Sequence, residues 1–447
     1  MPINIGMVSL GCSKNLVDSE RMLYKIKEKG YRLVTDPAKA DVVVVNTCGF
    51  IQTAKEEAIE TILELGKLKE EGTIKKIIIT GCLSERYREE LASEFEKEAD
   101  AVIGIGSDDD ITDIIDRALA DEHIVEFKSK LDLKLTGKRI ISTLPFFAYL
   151  KIAEGCSNCC SYCAIPMIRG KFRSVPKEDV LEEAKWLAEN GVTELIVVAQ
   201  DSTRYGEDLY GEPKLAELLS ELCKIDGIKW IRVLYCYPER ITDELIDVIA
   251  REPKIVKYLD IPIQHCDKKI LKDMGRFGDE DSLRALFKKL RERIEGIILR
   301  TTLITGFPGE TEEQFEALAE FTKEIRFDRL GCFPYSEEEG TKAASMPGML
   351  DEEVRQHRAD VIMQQQQNIF ESNNSEMIGS VVEAVVEGYD KWGECYFGRT
   401  ANDAPDIDGK IFFDSANKLS VGQYVMVRVD ESVDYDLMGE VIDESAE

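Results

Sequence analysis

Four of the chain's 12 cysteines crowd into residues 155–163, which read Gly-Cys-Ser-Asn-Cys-Cys-Ser-Tyr-Cys. Thiols gathered this closely are typical of a metal site. Cys156, Cys160 and Cys163 have C-x3-C-x2-C spacing, which lets three thiolates converge on one inorganic cluster and leaves one iron of a four-iron cluster without a protein ligand. The spacing therefore predicts a cluster whose open iron takes a further ligand.

Two other interpretations of this stretch stay open. Two abutting C-x2-C pairs, Cys156 with Cys159 and Cys160 with Cys163, could hold structural zinc, although zinc-binding pairs usually sit on loops separated by about 15 to 20 residues. A buried group of thiols without metal needs no such spacing. Cys159 could also compete as a cluster ligand, so the preference for Cys160 over Cys159 depends on the spacing alone.

The C-x3-C-x2-C stretch, with Tyr162 just before its last cysteine, resembles the signature of the radical S-adenosylmethionine enzymes. The resemblance implies a four-iron four-sulfur cluster held by Cys156, Cys160 and Cys163. It also implies that S-adenosylmethionine chelates the open iron through its amino and carboxylate groups. An electron from the cluster then splits the sulfonium and gives a 5'-deoxyadenosyl radical.

Composition indicates the setting in which such a cluster would work. A length of 447 residues suggests two or three domains, and 44% hydrophobic residues are ample for packed cores. No apolar run is long enough to cross a membrane, and the amino-terminal residues lack a basic start followed by an apolar core. We therefore expect a soluble, cytoplasmic chain with no membrane partner, in a compartment that keeps thiols reduced.

The charge is strongly acidic, with 86 Asp and Glu against 57 Lys and Arg and a net charge of -29. This balance argues against nucleic acid as the main partner, because binding to phosphates relies on Lys and Arg. It is compatible with a basic protein partner attracted by electrostatic steering. Solubility alone would account for the acidity equally well.

Residues 4–120 alternate apolar strand-like runs with helical patterns, which is typical of a parallel α/β sheet. Cys12, Cys48 and Cys82 each follow the end of a predicted strand by two or three residues. Ligands bind at that edge of open α/β sheets, so these cysteines are expected to meet in one crevice and hold a second three-ligand cluster. The alternative interpretation, for each cysteine considered by itself, is an ordinary small core residue. The predicted strands are residues 7–10, 42–45 and 77–79, and the predicted helices are residues 15–29 and 52–69.

The residues around these cysteines resemble the methylthiotransferases, whose amino-terminal domain carries three such cysteines. Residues 9–20, Ser-Leu-Gly-Cys-Ser-Lys-Asn-Leu-Val-Asp-Ser-Glu, and residues 45–51, Val-Asn-Thr-Cys-Gly-Phe-Ile, resemble the RimO-type branch, which modifies a ribosomal protein. The resemblance implies two four-iron four-sulfur clusters. Cluster 1 would be held by Cys12, Cys48 and Cys82, and cluster 2 by Cys156, Cys160 and Cys163.

The middle of the chain repeats the strand-helix alternation six times. Six units are too few for a closed eight-stranded barrel, whereas a partial barrel fits and resembles the radical S-adenosylmethionine core. We expect three domains: residues 1–135, a methylthiotransferase domain; residues 142–375, the radical core; and residues 376–447, a small barrel. The predicted core strands are residues 149–153, 194–199, 230–234, 258–261, 297–304 and 329–333, and the predicted helices include residues 177–190, 242–252, 280–293 and 312–324.

Working residues of parallel barrels lie at the carboxyl ends of the strands. By resemblance, Tyr162, Gln200 and Gly306 are expected near S-adenosylmethionine. Residues 305–310, Thr-Gly-Phe-Pro-Gly-Glu, resemble the family's segment near the adenine, and a tight turn before a helix is a compatible alternative. His265 is a further candidate, although a lone histidine is more often a packing residue. The other candidates at strand ends are Asp201, residues 235–238, Gln264 and Tyr335.

The carboxyl-terminal region changes from a long charged helix at residues 351–372 to short strands at residues 381–387, 395–399, 410–413 and 424–430. This pattern suggests a small all-β barrel and resembles the TRAM domain, best known from RNA-modifying enzymes. Residues 376–447 contain 5 basic and 17 acidic residues. A barrel that binds RNA should be basic, so this one fits a basic protein target better.

Taken together, the resemblance covers essentially the whole chain and implies a RimO-type enzyme that methylthiolates an aspartate of small-subunit ribosomal protein S-twelve. Cluster 2 would generate the radical, and cluster 1 would supply sulfur that carries a methyl group from a second S-adenosylmethionine. The implied partners are that protein, free or in the small ribosomal subunit, and an electron donor. The alternatives are a tRNA adenosine methylthiotransferase and, from another class, an iron-sulfur carrier without its own substrate.

Overall fold

The computed structural model describes residues 3–443 of the chain. The chain divides into two compact units. Unit 1 comprises Met1–Ser142, Ala153–Val175 and Ser336–Ala344, and unit 2 comprises Thr143–Ile152, Pro176–Tyr335 and Ser345–Glu447. Both cysteine groups therefore lie in unit 1, whereas the predicted core strands and the carboxyl-terminal barrel lie in unit 2.

The amino-terminal part of unit 1 is a six-stranded parallel sheet with strand order β2-β1-β3-β4-β5-β6. Its central strand β3 is buried along its whole length, as expected for a parallel strand covered by helices on both faces. The prediction of a parallel α/β sheet is confirmed, and the short strands β2, β5 and β6 were not predicted. The elements are β1 (Asn4–Ser9), α1 (Ser13–Glu28), β2 (Arg32–Val34), β3 (Val42–Thr47), α2 (Gln52–Glu70), β4 (Lys76–Gly81), α3 (Cys82–Glu94), β5 (Ala101–Ile103), α4 (Ile111–Leu119) and β6 (Ile124–Glu126).

The second sheet lies in unit 2 and contains the six core strands in chain order, all parallel, from β7 at one edge to β14 at the other. This open arrangement confirms the predicted partial barrel. Two short strands and one helix of this stretch, β8, β9 and α5, belong to unit 1 instead. The elements are β7 (Phe147–Lys151), β8 (Ala153–Glu154), α5 (Ile165–Arg169), β9 (Arg173–Ser174), α6 (Lys177–Glu189), β10 (Glu194–Val198), α7 (Glu207–Tyr210), α8 (Leu215–Leu222), β11 (Trp230–Val233), α9 (Asp243–Arg251), β12 (Ile255–Asp260), α10 (Lys268–Asp273), α11 (Glu280–Arg293), β13 (Ile298–Thr305), α12 (Glu312–Ile325) and β14 (Arg329–Pro334).

The remainder of unit 2 is one long helix followed by a closed five-stranded barrel with strand order β15-β16-β17-β19-β18. The predicted small all-β barrel is thus confirmed, although its last strand was missed. No helix within residues 3–443 is long and apolar enough to span a membrane. The elements are α13 (Glu352–Glu376), β15 (Val381–Asp390), β16 (Cys395–Thr400), β17 (Ile411–Asp414), β18 (Tyr424–Val433) and β19 (Asp436–Asp443).

Candidate functional site

Cys12, Cys48 and Cys82 lie at one edge of the sheet of unit 1. Cys48 and Cys82 directly follow β3 and β4, and Cys12 comes three residues after β1. These strands are neighbours in the order β1-β3-β4, and neighbouring parallel strands end at the same edge. The structure thus brings together three cysteines that are distant in sequence.

Two glycines allow the strand ends to approach each other this closely. Gly11 has φ +90°, and a Cβ atom on it would lie 2.8 Å from Cys48 Sγ. Gly81 has φ +99°, and its Cβ atom would lie 2.5 Å from the carbonyl oxygen of Thr47. Any other residue would meet both backbone strain and a steric clash at these positions, so both glycines are required beside the cysteines.

The surroundings of Cys12 favour a thiolate. Cys12 is exposed. Desolvation by the neighbouring protein atoms alone would raise its pKa, but the positive charges of Lys14 and Arg169 and the backbone N–H groups of Asn15 and Lys14 outweigh this effect, and the pKa is lowered. Cys12 immediately precedes α1 and Cys82 is the first residue of α3, so both thiols also lie at the positive end of a helix dipole. Cationic surroundings of this kind suit an anionic cluster.

Cys48 and Cys82 are buried, and burial is the main reason why their pKa values are raised, that of Cys82 to about 12. Negative charge on the neighbouring thiols adds to the increase, while Arg169 opposes it. A bound cluster would take these thiols as deprotonated ligands, because metal binding releases the protons of ligating thiols. Three thiols, one guanidinium and two helix ends together fit an iron-sulfur cluster. Within the described residues, no group of three His, Cys, Asp or Glu side chains suits a single metal ion.

The Arg169 guanidinium forms hydrogen bonds with one cysteine and three polar residues at this site. Its Nη2 donates to Cys82 Sγ at 3.2 Å and to Asn15 Oδ1 at 2.8 Å. Its Nη1 donates to Asp18 Oδ2 at 2.6 Å and to Glu154 Oε2 at 3.4 Å. Arg169 is only 2% exposed, so water does not screen these contacts.

The second cysteine group also lies in unit 1, on the loop between β8 and α5. Gly155 has φ +77°, and a Cβ atom on it would lie 2.3 Å from the Lys171 carbonyl oxygen. Cys156 and Cys160 are buried, and Cys163 is half-buried. Cys159 is exposed and has a left-handed backbone with φ +52°. Burial therefore favours Cys160 over Cys159 as a ligand.

Of the other predicted site residues, Tyr162 is half-buried in the same loop, whereas Gln200 and Gly306 follow β10 and β13 in unit 2. Gly306 has φ +71° and donates its backbone N–H to Glu310 Oε2 at 2.8 Å. Glu310 in turn accepts a hydrogen bond from Arg358 Nη1 at 2.7 Å. The segment is therefore a tight turn closed by its own carboxylate.

His265 is buried beside this turn. Its Nδ1 accepts backbone N–H groups from Cys266 and Asp267, so the proton of the neutral ring is on Nε2, which lies 3.7 Å from Glu310 Oε2. Burial lowers the pKa of His265 to about 4, with Asp267 opposing this effect and Arg358 reinforcing it. His265 is therefore neutral at physiological pH.

Sequence reasoning missed Arg169 and its partners Asn15, Asp18 and Glu154. The available signal was a cationic residue six positions after Cys163 together with polar residues in the first turns of a helix that follows Cys12. Neither observation joins the two segments without the fold.

Comparison with known families gives three matches along the chain. Residues 4–104 match the uncharacterized protein family UPF0004, residues 150–322 match the radical SAM superfamily, and residues 378–442 match the TRAM domain. These ranges cover β1 to β5 of the sheet in unit 1, the cysteine loop with core strands β10 to β13, and the closed barrel. The chain therefore carries a radical SAM domain between an α/β domain and a TRAM barrel.

Curated relatives match along almost the full length. The chain is 50% identical over 438 residues to the ribosomal protein uS12 methylthiotransferase RimO of Lachnoclostridium phytofermentans, covering 98% of this chain and 99% of the relative. It is 49% identical over 450 residues to the enzyme of the same description from Clostridioides difficile, covering 99% and 100%. Among solved structures, the radical S-adenosylmethionine methyltransferase TsrM of Kitasatospora setae, with cobalamin and a 4Fe-4S cluster bound, matches with TM-score 0.56 and 15% identity, over 75% of this chain and 77% of that one. The last similarity concerns the fold alone.

Proposed function

Because this chain belongs to the RimO family of ribosomal protein uS12 methylthiotransferases, we propose that it transfers a methylthio group to the β-carbon of an aspartate in uS12. The observation that carries the proposal is the pair of cysteine triads in unit 1. Cys12, Cys48 and Cys82 meet at one sheet edge, and Cys156, Cys160 and Cys163 share one loop.

The family uses S-adenosylmethionine and 4Fe-4S clusters, and the six cysteines are the ligands we propose. Cys12, Cys48 and Cys82 would hold cluster 1, and Cys156, Cys160 and Cys163 would hold cluster 2. The glycine-enforced approach of the strand ends and the cationic surroundings of Cys12 support the first assignment. The burial of Cys160 compared with Cys159 supports the second. By family resemblance, Tyr162, Gln200 and Gly306 would contact S-adenosylmethionine.

The reaction explains why such cofactors are needed. The β-carbon of an aspartate carries no acidic proton and no leaving group, so acid-base catalysis cannot activate it. When bound, the clusters and S-adenosylmethionine supply the radical that removes hydrogen and the sulfur that replaces it. The chain's own residues hold the thiolate ligands, place Arg169 and Lys14 against their negative charge, and keep Cys48 and Cys82 away from water.

The substrate proposal fits the charge of the carboxyl-terminal barrel. With 5 basic and 17 acidic residues over 376–447, this module suits a basic protein better than tRNA, and the two curated relatives described above are uS12 methylthiotransferases. The small ribosomal subunit as the setting, an electron donor as a second partner, and the cytoplasm as the location are further parts of the proposal.

A competition experiment tests the substrate. The anaerobically reconstituted protein is mixed with S-adenosylmethionine, a reductant, uS12 and tRNA, and both macromolecules are examined by mass spectrometry. We expect a methylthio group on an aspartate of uS12 and unmodified tRNA. A methylthio group on an adenosine of tRNA would support the proposed methylthiotransferase reaction and contradict uS12 as the proposed substrate.

Two triple variants test the ligand assignment. The wild-type chain should bind about eight irons, and either variant about four. The C12A/C48A/C82A variant should still cleave S-adenosylmethionine while losing sulfur insertion, whereas the C156A/C160A/C163A variant should lose both. Loss of cleavage in a folded C12A/C48A/C82A variant would contradict this division of labour.

A further inference from the structure

We propose that Arg169 is a positioning residue that sets the reduction potential of cluster 1 through its hydrogen bond to Cys82 Sγ. The inference rests on the proposed function, because it takes Cys82 as a ligand of that cluster. It concerns a side chain that no comparison assigns and that lies on a different segment from the three cysteines.

The geometry singles out Arg169. Arg169 is 2% exposed, and its Nη2 contacts the thiol of Cys82 at 3.2 Å, while Asn15, Asp18 and Glu154 accept its other hydrogen bonds from Nη1 and Nη2. A planar fork can reach acceptors on several segments at once, whereas a lysine ammonium acts as a point charge. The side chain is therefore held in one orientation, with one donor directed at sulfur.

The effect on a cluster follows from charge. Reduction adds an electron, so a nearby cation and a hydrogen bond to a ligand sulfur stabilise the reduced form and raise the potential. The charge of Arg169 acts on all three thiols of the first triad. Asp18 and Glu154 partly neutralise it. Removal of the cation and removal of a carboxylate should therefore shift the potential in opposite directions.

The position of Arg169 in the chain adds a mechanical consequence. It is the last residue of α5, which begins two residues after Cys163. Its contact with Glu154 reaches the short strand that leads into Cys156. One guanidinium thus connects the triad at the sheet edge with the segments on both sides of the other cysteine loop, all within unit 1.

The test uses the C156A/C160A/C163A chain, in which only cluster 1 can form. Its midpoint potential is measured by electron paramagnetic resonance during a redox titration, with iron content determined in parallel. Three variants are added in this background: Arg169→Met, Arg169→Lys and Asp18→Asn. Arg139→Met is the matched control, because Arg139 is a buried arginine of the same unit whose Nη1 pairs with Glu20 on the same helix as Asp18.

We expect Arg169→Met to lower the ratio of reduced to oxidised cluster at least tenfold at a fixed applied potential. For a one-electron couple, this corresponds to a midpoint potential that is lower by about 59 mV. Arg169→Lys should recover most of the midpoint potential that Arg169→Met loses, because the positive charge is kept. Asp18→Asn should raise the midpoint potential above that of the parent chain. Arg139→Met should leave it unchanged. If Arg169 had only a structural role, Arg169→Met and Asp18→Asn would not shift the midpoint potential in opposite directions.

The outcomes separate this inference from the proposed function. A parent chain that binds no iron would overturn the assignment of cluster 1, and the inference with it. A parent that binds about four irons, with a midpoint that Arg169→Met and Asp18→Asn leave unchanged or shift in the same direction, would overturn the inference alone. If Arg169→Met takes up no iron, Asp18→Asn decides: a raised midpoint supports the inference, and an unchanged or lowered midpoint overturns it.

Discussion

Both units bury arginine side chains, but the two sites use them differently. In unit 1, Arg169 divides its donors among a thiol, an amide and two carboxylates. In unit 2, Glu194 accepts hydrogen bonds from Arg232 Nε at 3.0 Å and from Arg399 Nη2 at 2.8 Å. All the acceptors recorded for Arg399 are oxygen atoms.

The different acceptors have different consequences. Glu194 begins β10 of the core sheet and Arg399 lies in β16 of the closed barrel, so their ion pair joins two parts of unit 2 that are 205 residues apart in sequence. Arg232 and Arg399 outweigh the effect of burial and lower the pKa of Glu194. This site stabilises an architecture. The guanidinium of Arg169 lies beside the Cys82 thiol instead, where we propose that it sets the reduction potential of cluster 1.

The largest expected effect on stability comes from a substitution of Glu194. Glu194→Gln removes the charged partner of Arg232 and leaves Arg399 with Glu387 as its remaining carboxylate partner, and removal of one member of a buried ion network costs roughly 3–5 kcal/mol. We expect this loss of unfolding free energy in urea titrations, with the reduction potential of cluster 1 unchanged.

Glu383→Gln is the control for Glu194. Glu383 also joins the barrel to the core, through Lys229 at 2.7 Å, but both side chains are partly exposed. Such a pair contributes only about 0.2–1 kcal/mol. Equal stability losses in the two variants would contradict the view that burial gives the Glu194 site its strength.

The sequence predicts much of what surrounds these two sites. Apolar runs identified β3, β4 and the six core strands, because the strands of a covered parallel sheet are rich in Val, Ile and Leu. The positions of Cys12, Cys48 and Cys82 after strand ends predicted their meeting. Strand β19 was missed because its apolar residues come as two pairs, Leu-Met and Val-Ile, separated by Gly439 and Glu440. This pattern is neither the alternation nor the continuous apolar run that predicts a strand.

The charge networks could not be predicted. Arg169 and Cys82 are 87 residues apart, and Glu194 and Arg399 are 205 apart. A charged residue in a sequence is usually solvated, and no local pattern indicates that it will be buried and paired. Only the packing of distant segments creates these sites, and this explains why Arg169, Glu194 and Arg399 were absent from the predicted set.

A second prediction concerns His265, a buried titratable group that is neutral, in contrast to the charged arginines of the two sites. His265 has a folded pKa of about 4, below the unfolded value of about 6.5. Between these values the unfolded chain binds more protons, so stability is full above about pH 6.5 and falls as the pH decreases towards 4. The loss should reach at most about 3 kcal/mol, and a smaller loss over this window is expected in His265→Asn, which keeps an acceptor near the Nδ1 position.

The measurement for His265 is the difference in unfolding free energy between wild type and His265→Asn at pH 7 and at pH 4.5. Carboxylates titrate in both chains, so the difference isolates the histidine. Asp267, Glu310 and Arg358 are the charged groups nearest to His265 and are the same in both proteins. Parallel pH profiles would show that His265 is not buried in its neutral form.

The smallest expected effect concerns a neutral donor in unit 2. Tyr258 is 1% exposed, and its hydroxyl donates to Asp408 Oδ2 at 2.7 Å. Tyr258→Phe removes this bond while the backbone N–H of Ala404 still donates to the same oxygen at 2.8 Å. Because the carboxylate keeps one partner, we expect a loss of about 1–2 kcal/mol, below that of Glu194→Gln.

The control for Tyr258 is Tyr389→Phe, since Tyr389 is 49% exposed on the closed barrel and its variant should stay within about 0.5 kcal/mol of wild type. Urea titrations of the three variants then rank a buried ion network above a buried neutral donor and an exposed hydroxyl. A loss in Tyr258→Phe as large as that in Glu194→Gln would mean that Asp408 depends on the tyrosine as strongly as Arg232 depends on Glu194. Charge pairing would then no longer distinguish the strongest buried contact between the core and the barrel.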